Sequence, residues 1–254
     1  AMWYHDTPCS APRLRSLMGE NRVDRAILVQ GFGPYGYVND YAADAAKADP
    51  NYFASVVVVH PEQQPAERLD YWVKQRGARG VRLIAARTGG AQLEPGELTP
   101  GLVATWKRAV ELGIPVLVQI QQKDAAWLHE AVKRFPGPIL LDHCAFPDLS
   151  GGPPYAKAKN FWGLAALPQV HLKVTSIILH AATENGGDPR RLVDQLIATF
   201  GANRLMWGSD YSQTNHLTYP QHVELGRRSR ANLKPADREW FEGGTALKFW
   251  PELR

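Results

Sequence analysis

Short, continuously apolar runs rich in β-branched residues punctuate the chain, and longer stretches with helical periodicity separate them. The runs are RAILVQ at 25–30, SVVVVH at 55–60, GVRLIA at 80–85, PVLVQI at 115–120, PILLDH at 138–143, VHLKVT at 170–175 and RLMWGS at 204–209. A strand covered on both faces reads this way because neither side meets water, and such strands belong to parallel sheets. The intervening pattern has the other period. Over 102–113, Leu102, Trp106, Ala109 and Leu112 share one stripe ahead of Gly113, and 125–135 and 190–201 repeat the arrangement. A further helix is predicted over 12–20. Strand centres recur about every 30 residues, the length of one βα unit.

This alternation favours an α/β fold of the (β/α)8 TIM-type barrel class over a doubly wound sheet. GFGPYG at 31–36 follows the first run, yet it lacks the glycine spacing and the helix start that dinucleotide binding requires. No Pro-, Gly- or Ser-rich linker divides the chain, so residues 1–254 are expected to form one barrel domain. The strand count is one short. A closed barrel of this type takes eight strands, since a gap leaves two parallel edges unpaired. Residues 1–12, AMWYHDTPCSAP, carry two prolines and no apolar run, so the first strand is expected to be missing from this sequence.

Composition narrows the partners. The 29 Lys and Arg exceed the 25 Asp and Glu by four, but the basic clusters Arg13/Arg15, Arg190/Arg191 and Arg227/Arg228/Arg230 have no interleaved stacking aromatics. Nucleic acid is therefore not an expected partner, and the charge adds only a bias toward a small anionic substrate. No apolar run approaches the ~20 residues of a membrane helix, so no membrane association is expected. Two cysteines, Cys9 and Cys144, cannot build a disulfide framework or a four-thiolate site. With no secretory leader evident, the expected compartment is the cytoplasm. An open barrel edge invites cover, which makes a second copy of the chain, a homo-oligomer, a candidate partner.

Chemistry in such a barrel collects where strands end. Those positions hold Gln30, His60, Arg82, Gln119, Gln121, His143, Lys173 with Ser176, and Asp210. Asp210 follows Trp207-Gly208-Ser209, where a carboxylate can act as general base toward water or else cap the next element. His143 can coordinate a metal or polarise a carbonyl, or it is a satisfied core histidine. The period of two places Asp142 on the opposite side of the strand from His143. Cys144 has no basic partner in the sequence and reads as a small core residue. Arg82 interrupts an apolar strand; its planar fork suits a substrate carboxylate, or it forms an ion pair inside the barrel. Lys173 holds the other end of an anion or snorkels outward. Gln119, Gln121 and Ser176 complete the candidate substrate-binding set. His5, His129, His171, His180, His216 and His222 show no ligand spacing.

ILLDHCAFPD (139–148), VHLKVTS (170–176) and RLMWGSDYSQT (204–214) together resemble the amidohydrolase-related (amidohydrolase 2) family, which includes dicarboxylate-pyrone lactonases and carboxymuconate-semialdehyde decarboxylases. VDRAILVQ (23–30), GVRLI (80–84) and GGTALKFWP (243–251) extend the resemblance over nearly the whole chain. It implies the barrel, an aspartate at 210 that takes a proton from the attacking water, and an arginine at 82 that binds a carboxylate. Two departures stand out. Metal-using members carry His-x-His on the first strand and another histidine on the fifth, where this chain has VLVQIQ with Gln119 and Gln121. Tyr211-Ser212-Gln213 stands where relatives often have Trp-Pro-His. His143 and Asp210 are two donors where a catalytic zinc usually takes three protein ligands, so no metal and no cofactor are expected. The expected activity is hydrolysis of a small anionic lactone or a related ester or amide, with water activated by Asp210. Two alternatives stay open: a divalent metal-dependent (zinc) hydrolase or decarboxylase whose His-x-His lies upstream, and a non-catalytic barrel that binds or oligomerises.

Overall fold

The computed structural model describes residues 8–85, 98–213 and 217–254. Each of the seven apolar runs coincides with or overlaps a strand: β1 Ala26–Val29, β2 Phe53–Val56, β3 Val81–Ile84, β4 Val116–Gln119, β5 Ile139–Leu141, β6 Val170–Thr175 and β7 Leu205–Gly208. All pairings are parallel and join strands adjacent in sequence, β1 to β2 and β3 through β7, with a bridge Val57↔Val81 linking the two groups. Parallel strands in sequence order, with helical segments between them, are the layout of a (β/α)8 barrel. Among the described residues β1 and β7 have no pairing with each other.

The second strand begins earlier than its β-branched run. Its register with β1 starts at Ala26↔Phe53, and by Val58 the chain has left the regular ladder for a side chain. Val58 N–H donates to Asn39 Oδ1 at 2.8 Å and Asn39 Nδ2 donates to Val58 O at 2.9 Å. Fully buried Asn39 thus satisfies both backbone groups. The expected helices form as Ala11–Glu20, Pro100–Leu112, Ala125–Arg134 and Pro189–Phe200. Side chains of Ser10, Thr99 and Asp188 cap the first, second and fourth of these. Gly113, at φ +67°, ends the second in the left-handed conformation. No helix among the described residues is long and apolar enough to cross a membrane.

Strand alternation divides the interior in two. One set, including Leu83, Val118, Leu141, Leu172 and Leu205, packs against the helices. The other set, Ile27, Val29, Ala54, Val56, Leu117, Leu140 and Met206, packs with Trp250 and Leu253 of the C-terminal segment. That second set fills the barrel lumen. Trp250 Nε1 donates to Arg79 O at 3.0 Å, just before β3 begins, so the C-terminal segment floors the lumen at the N-terminal ends of the strands.

Across the β1–β7 seam the helices Ala11–Glu20 and Tyr219–Ser229 meet. Leu17, Met18, Phe53, Tyr219 and Val223 bury one cluster there, with Leu28 and Trp207 against it. Arg227 Nη2 donates to Asn21 O at 2.6 Å. Gly226 lies so close to the Trp207 indole that an added Cβ would overlap the ring. Gly226→Ala is therefore expected to cost about 1–3 kcal/mol. The denaturation midpoint measures this, and an unchanged midpoint would mean that the helix can back away from the indole.

Candidate active site

The lumen row above the floor is not apolar. Arg82 on β3 stands in register with Leu117 on β4, which pairs in turn with Leu140 on β5. From there Arg82 Nε donates to Asp142 Oδ2 at 2.5 Å, and Arg82 Nη1 reaches Gln30 O at 3.5 Å beyond β1. The Lys173 ammonium, on β6, donates to Asp142 Oδ1. Asp142 is fully buried, while the side chains of Arg82 and Lys173 keep 11% and 17% exposure. Burial alone would raise the Asp142 carboxyl, but the flanking guanidinium and ammonium overcome it and hold the group far below the usual carboxylate range.

This placement corrects one expectation from the sequence. Asp142 and His143 were to lie on opposite sides, with His143 facing the site. Alternation instead puts Asp142 on the lumen side with Leu140, and β5 ends at Leu141. His143, Cys144, Ala145 and Phe146 then adopt positive φ in succession, +50°, +52°, +58° and +49°. None of the four is glycine, and each such residue costs about 1 kcal/mol. Alternation holds only while the backbone stays extended, and this left-handed turn ends it. It brings the His143 imidazole to 2.8 Å from Thr175 Oγ1 at the end of β6, with the Phe146 ring 4.8 Å away. Burial, outweighing the attraction of Asp142, pushes His143 down to about 4, so the imidazole is neutral at pH 7. Cys144 is fully buried with its Sγ 3.5 Å from Lys173 O, and burial pushes the thiol up, which leaves it protonated.

Asp210, two residues beyond β7, also has a left-handed backbone, φ +55°. The residue is partly exposed, yet its Oδ2 is sealed from solvent and has no hydrogen-bond partner among the described residues. Burial pushes its carboxyl up to about 7 against the pull of Lys173 and Arg82, with Asp142 adding to the rise. Arg82, Asp142, Lys173 and Asp210 thus lie within electrostatic reach of one another, and His143 within reach of the first three.

The other candidates are placed as follows. Gln119 is buried at the end of β4. The Gln121 side chain accepts from the Asp124 backbone, while Gln121 N–H donates to Asp124 Oδ2 at 2.9 Å, so it caps the turn 122–124. Ser176 opens the helix after β6, and its buried Oγ lacks a partner among the described residues. Gln30 donates to Val38 O at 2.6 Å and holds the loop after β1. His60 Nδ1 accepts from Glu62 N–H at 3.1 Å. His5 and His216 lie outside the described residues. A cavity of about 660 Å³ opens between the loop 149–155 and the segment 181–191; it is lined by Tyr155, Asp188 and Arg191 among others, and by none of the five residues of the charged cluster.

Solved structures share the fold. A probable 2-pyrone-4,6-dicarboxylic acid hydrolase from Acinetobacter baumannii, crystallised with citric acid, is 19% identical with a TM-score of 0.78, covering 95% of this chain and 89% of its own. An amidohydrolase from Burkholderia multivorans with bound zinc is 20% identical, TM-score 0.74, over 95% of this chain and 88% of its own. A dihydroxybenzoic acid decarboxylase from Polaromonas sp. JS666 with bound manganese is 15% identical, TM-score 0.67, over 95% of this chain and 86% of its own. The zinc and manganese of the last two overturn the expectation of no cofactor: the relatives point to a divalent metal rather than none. Among the described residues of this chain, however, no group of three His, Cys, Asp or Glu is placed to hold one. Asp142 is already engaged by two cations, and the unpartnered Oδ2 of Asp210 is a single donor; these residues by themselves do not fit a catalytic zinc. No curated protein matches the chain. The amidohydrolase family model matches residues 4–251, and the chain belongs to that family.

Proposed function

We propose that the chain is an enzyme that hydrolyses a small anionic lactone, or a related ester or amide, in the mouth of the barrel. The observation that supports this most directly is Asp210: a carboxyl at a strand end, one oxygen unpartnered among the described residues, with its proton affinity lifted to about 7. A general base works best with a pKa near the operating pH. In its ionised form Asp210 takes a proton from water as the water oxygen attacks the carbonyl carbon. The neutral His143 imidazole, oriented by Thr175, polarises the carbonyl oxygen as negative charge develops there. The proton held on Asp210 then passes to the departing ring oxygen. Arg82 and Lys173 receive the substrate carboxylate, each through donors left over from Asp142. Gln119, Gln121 and Ser176 stay with the substrate-binding set of this proposal.

The same elevated carboxyl supports a second reading, decarboxylation. Protonated Asp210 is an acid able to deliver its proton to the carbanion left as carbon dioxide departs. One experiment separates the two. The purified protein, with and without added zinc or manganese, is mixed with 2-pyrone-4,6-dicarboxylate and, separately, with 2,6-dihydroxybenzoate. Loss of the pyrone absorbance with proton release is expected. Carbon dioxide release from the benzoate would favour decarboxylation, and no turnover of a wider panel of lactones and aromatic acids would overturn both.

The His143 contact gives a smaller test. Thr175→Val removes the partner of a buried imidazole nitrogen. It is expected to cost about 1–2 kcal/mol of stability and roughly tenfold in kcat. Urea denaturation and steady-state rates measure the two effects.

A further inference from the structure

The lumen row that carries Arg82 continues as Leu117, Leu140 and His171, so an apolar residue at position 82 would leave it with no arginine or carboxylate to bury. The chain instead sets two cations and one anion there, and replacing buried ion pairs by packed apolar groups is often neutral or stabilising. A pair kept for stability would also balance. This cluster does not while Asp210 holds its proton: Arg82 and Lys173 against Asp142 then leave one positive charge over.

The hydrogen bonds show where that charge is directed. Asp142 gives Oδ2 to Arg82 Nε and Oδ1 to the Lys173 ammonium, one oxygen to each cation. Arg82 Nη1 has only the long contact to Gln30 O at 3.5 Å, and Nη2 has no acceptor among the described residues. The Lys173 ammonium has two further hydrogens, likewise without an acceptor among the described residues. Both cations are anchored on one carboxylate, so their spare donors are neighbours.

We infer that Asp142 is a positioning residue: it ties Arg82 and Lys173 together so that their remaining N–H groups form one cradle for a single carboxylate of the substrate. This rests on the proposal that the barrel mouth takes an anionic substrate. It adds a residue that touches neither the reacting atoms nor the ligand.

The test turns on sign. Asp142→Asn raises the charge of the trio from +1 to +2. If Asp142 only balances charge, anions bind tighter after the substitution; if it positions the cations, anions bind more weakly. The probes are benzoate and 2-pyrone-4,6-dicarboxylate, titrated calorimetrically into protein carrying Asp210→Asn so that turnover does not intervene. Asp142→Asn in that background is expected to weaken benzoate binding about tenfold, and tighter binding would overturn the inference. Should that variant fail to fold, Lys173→Met with and without Asp142→Asn carries the comparison, since the pair has charges 0 and +1. Weaker binding when Asp142 is also replaced supports positioning, and tighter binding refutes it. Failure of both Asp142 variants to fold, read by circular dichroism, would make Asp142 a structural partner alone and likewise refute it. Lack of benzoate binding by the Asp210→Asn protein also defeats the inference. Bound pyrone that the unsubstituted enzyme leaves intact defeats only the proposed reaction.

Discussion

Replacing Asp210 by asparagine is expected to lower turnover by about 10²–10⁴-fold while making the folded chain more stable at neutral pH. The two effects have one cause. Oδ2 is buried without a partner among the described residues, and burial lifts the carboxyl to about 7 from an ordinary value of 3.8. Between those values the unfolded chain has lost the proton and the folded chain has kept it. The folded state then binds more protons, so stability falls as pH rises from about 4 to 7 and levels off above. A shift of this size corresponds to about 4 kcal/mol at most. Asparagine has no charge to bury, and it tolerates the left-handed backbone at this position. Urea titrations of both proteins at pH 5 and pH 8 measure the difference: the gain is expected nearly in full at pH 8 and at roughly a third of that at pH 5. A variant that keeps full rate ends the assignment of Asp210 as base, and equal gains at both pH values end the account of its burial.

The opposite sign is expected at Asp142. Its replacement by asparagine leaves two largely buried cations side by side, and removing one partner of a buried ion pair costs about 3–5 kcal/mol. Adding Lys173→Met should recover part of that loss, because only one cation then remains. The two substitutions are coupled through a shared hydrogen bond and are not expected to add. The pH dependence also reverses. Arg82 and Lys173 hold the Asp142 carboxyl below its unfolded value despite its burial, so its contribution is full above about pH 4 and drains away as acid protonates it. Chemical denaturation of the single and double variants checks the cycle, and strict additivity would show that the three side chains are not one unit.

Much of the fold is legible in the sequence because seven runs such as PVLVQI read as strands buried on both faces of a parallel sheet; six contain their strand, and the run at 55–60 overlaps the end of β2. The helix ends are legible for local reasons: Ser10, Thr99 and Asp188 cap, and Gly113 stops. The charged cluster is half legible. Arg82 stands out as a charge inside an apolar strand, and the ion pair that its sequence allowed is present. Asp142 is missed because its face was inferred from His143, and His143 faces inward only through the turn at 143–146. Nothing in the residues HCAF announces a left-handed turn, since glycine and asparagine are absent from it. A better signal was available: Leu140 belongs to the lumen, and Asp142 follows it at the same parity. Gln121 reads as a rim residue because its strand is apolar, whereas the capping exchange with Asp124 three positions later is a local pattern visible in QQKD.

The segment carrying Trp250 and Leu253 seals the bottom of the lumen, and it follows all seven strands in the chain. Trp250 meets Arg79 across 171 positions, a contact no nascent polypeptide can form until all seven strands have been made. The lumen side chains of all earlier strands must wait for that plug, so completion of the barrel is governed by a very distant closure. Replacing Trp250 and Leu253 by alanine would leave the lumen unsealed and the chain open to proteolysis and self-association, even though no residue near the barrel mouth had changed.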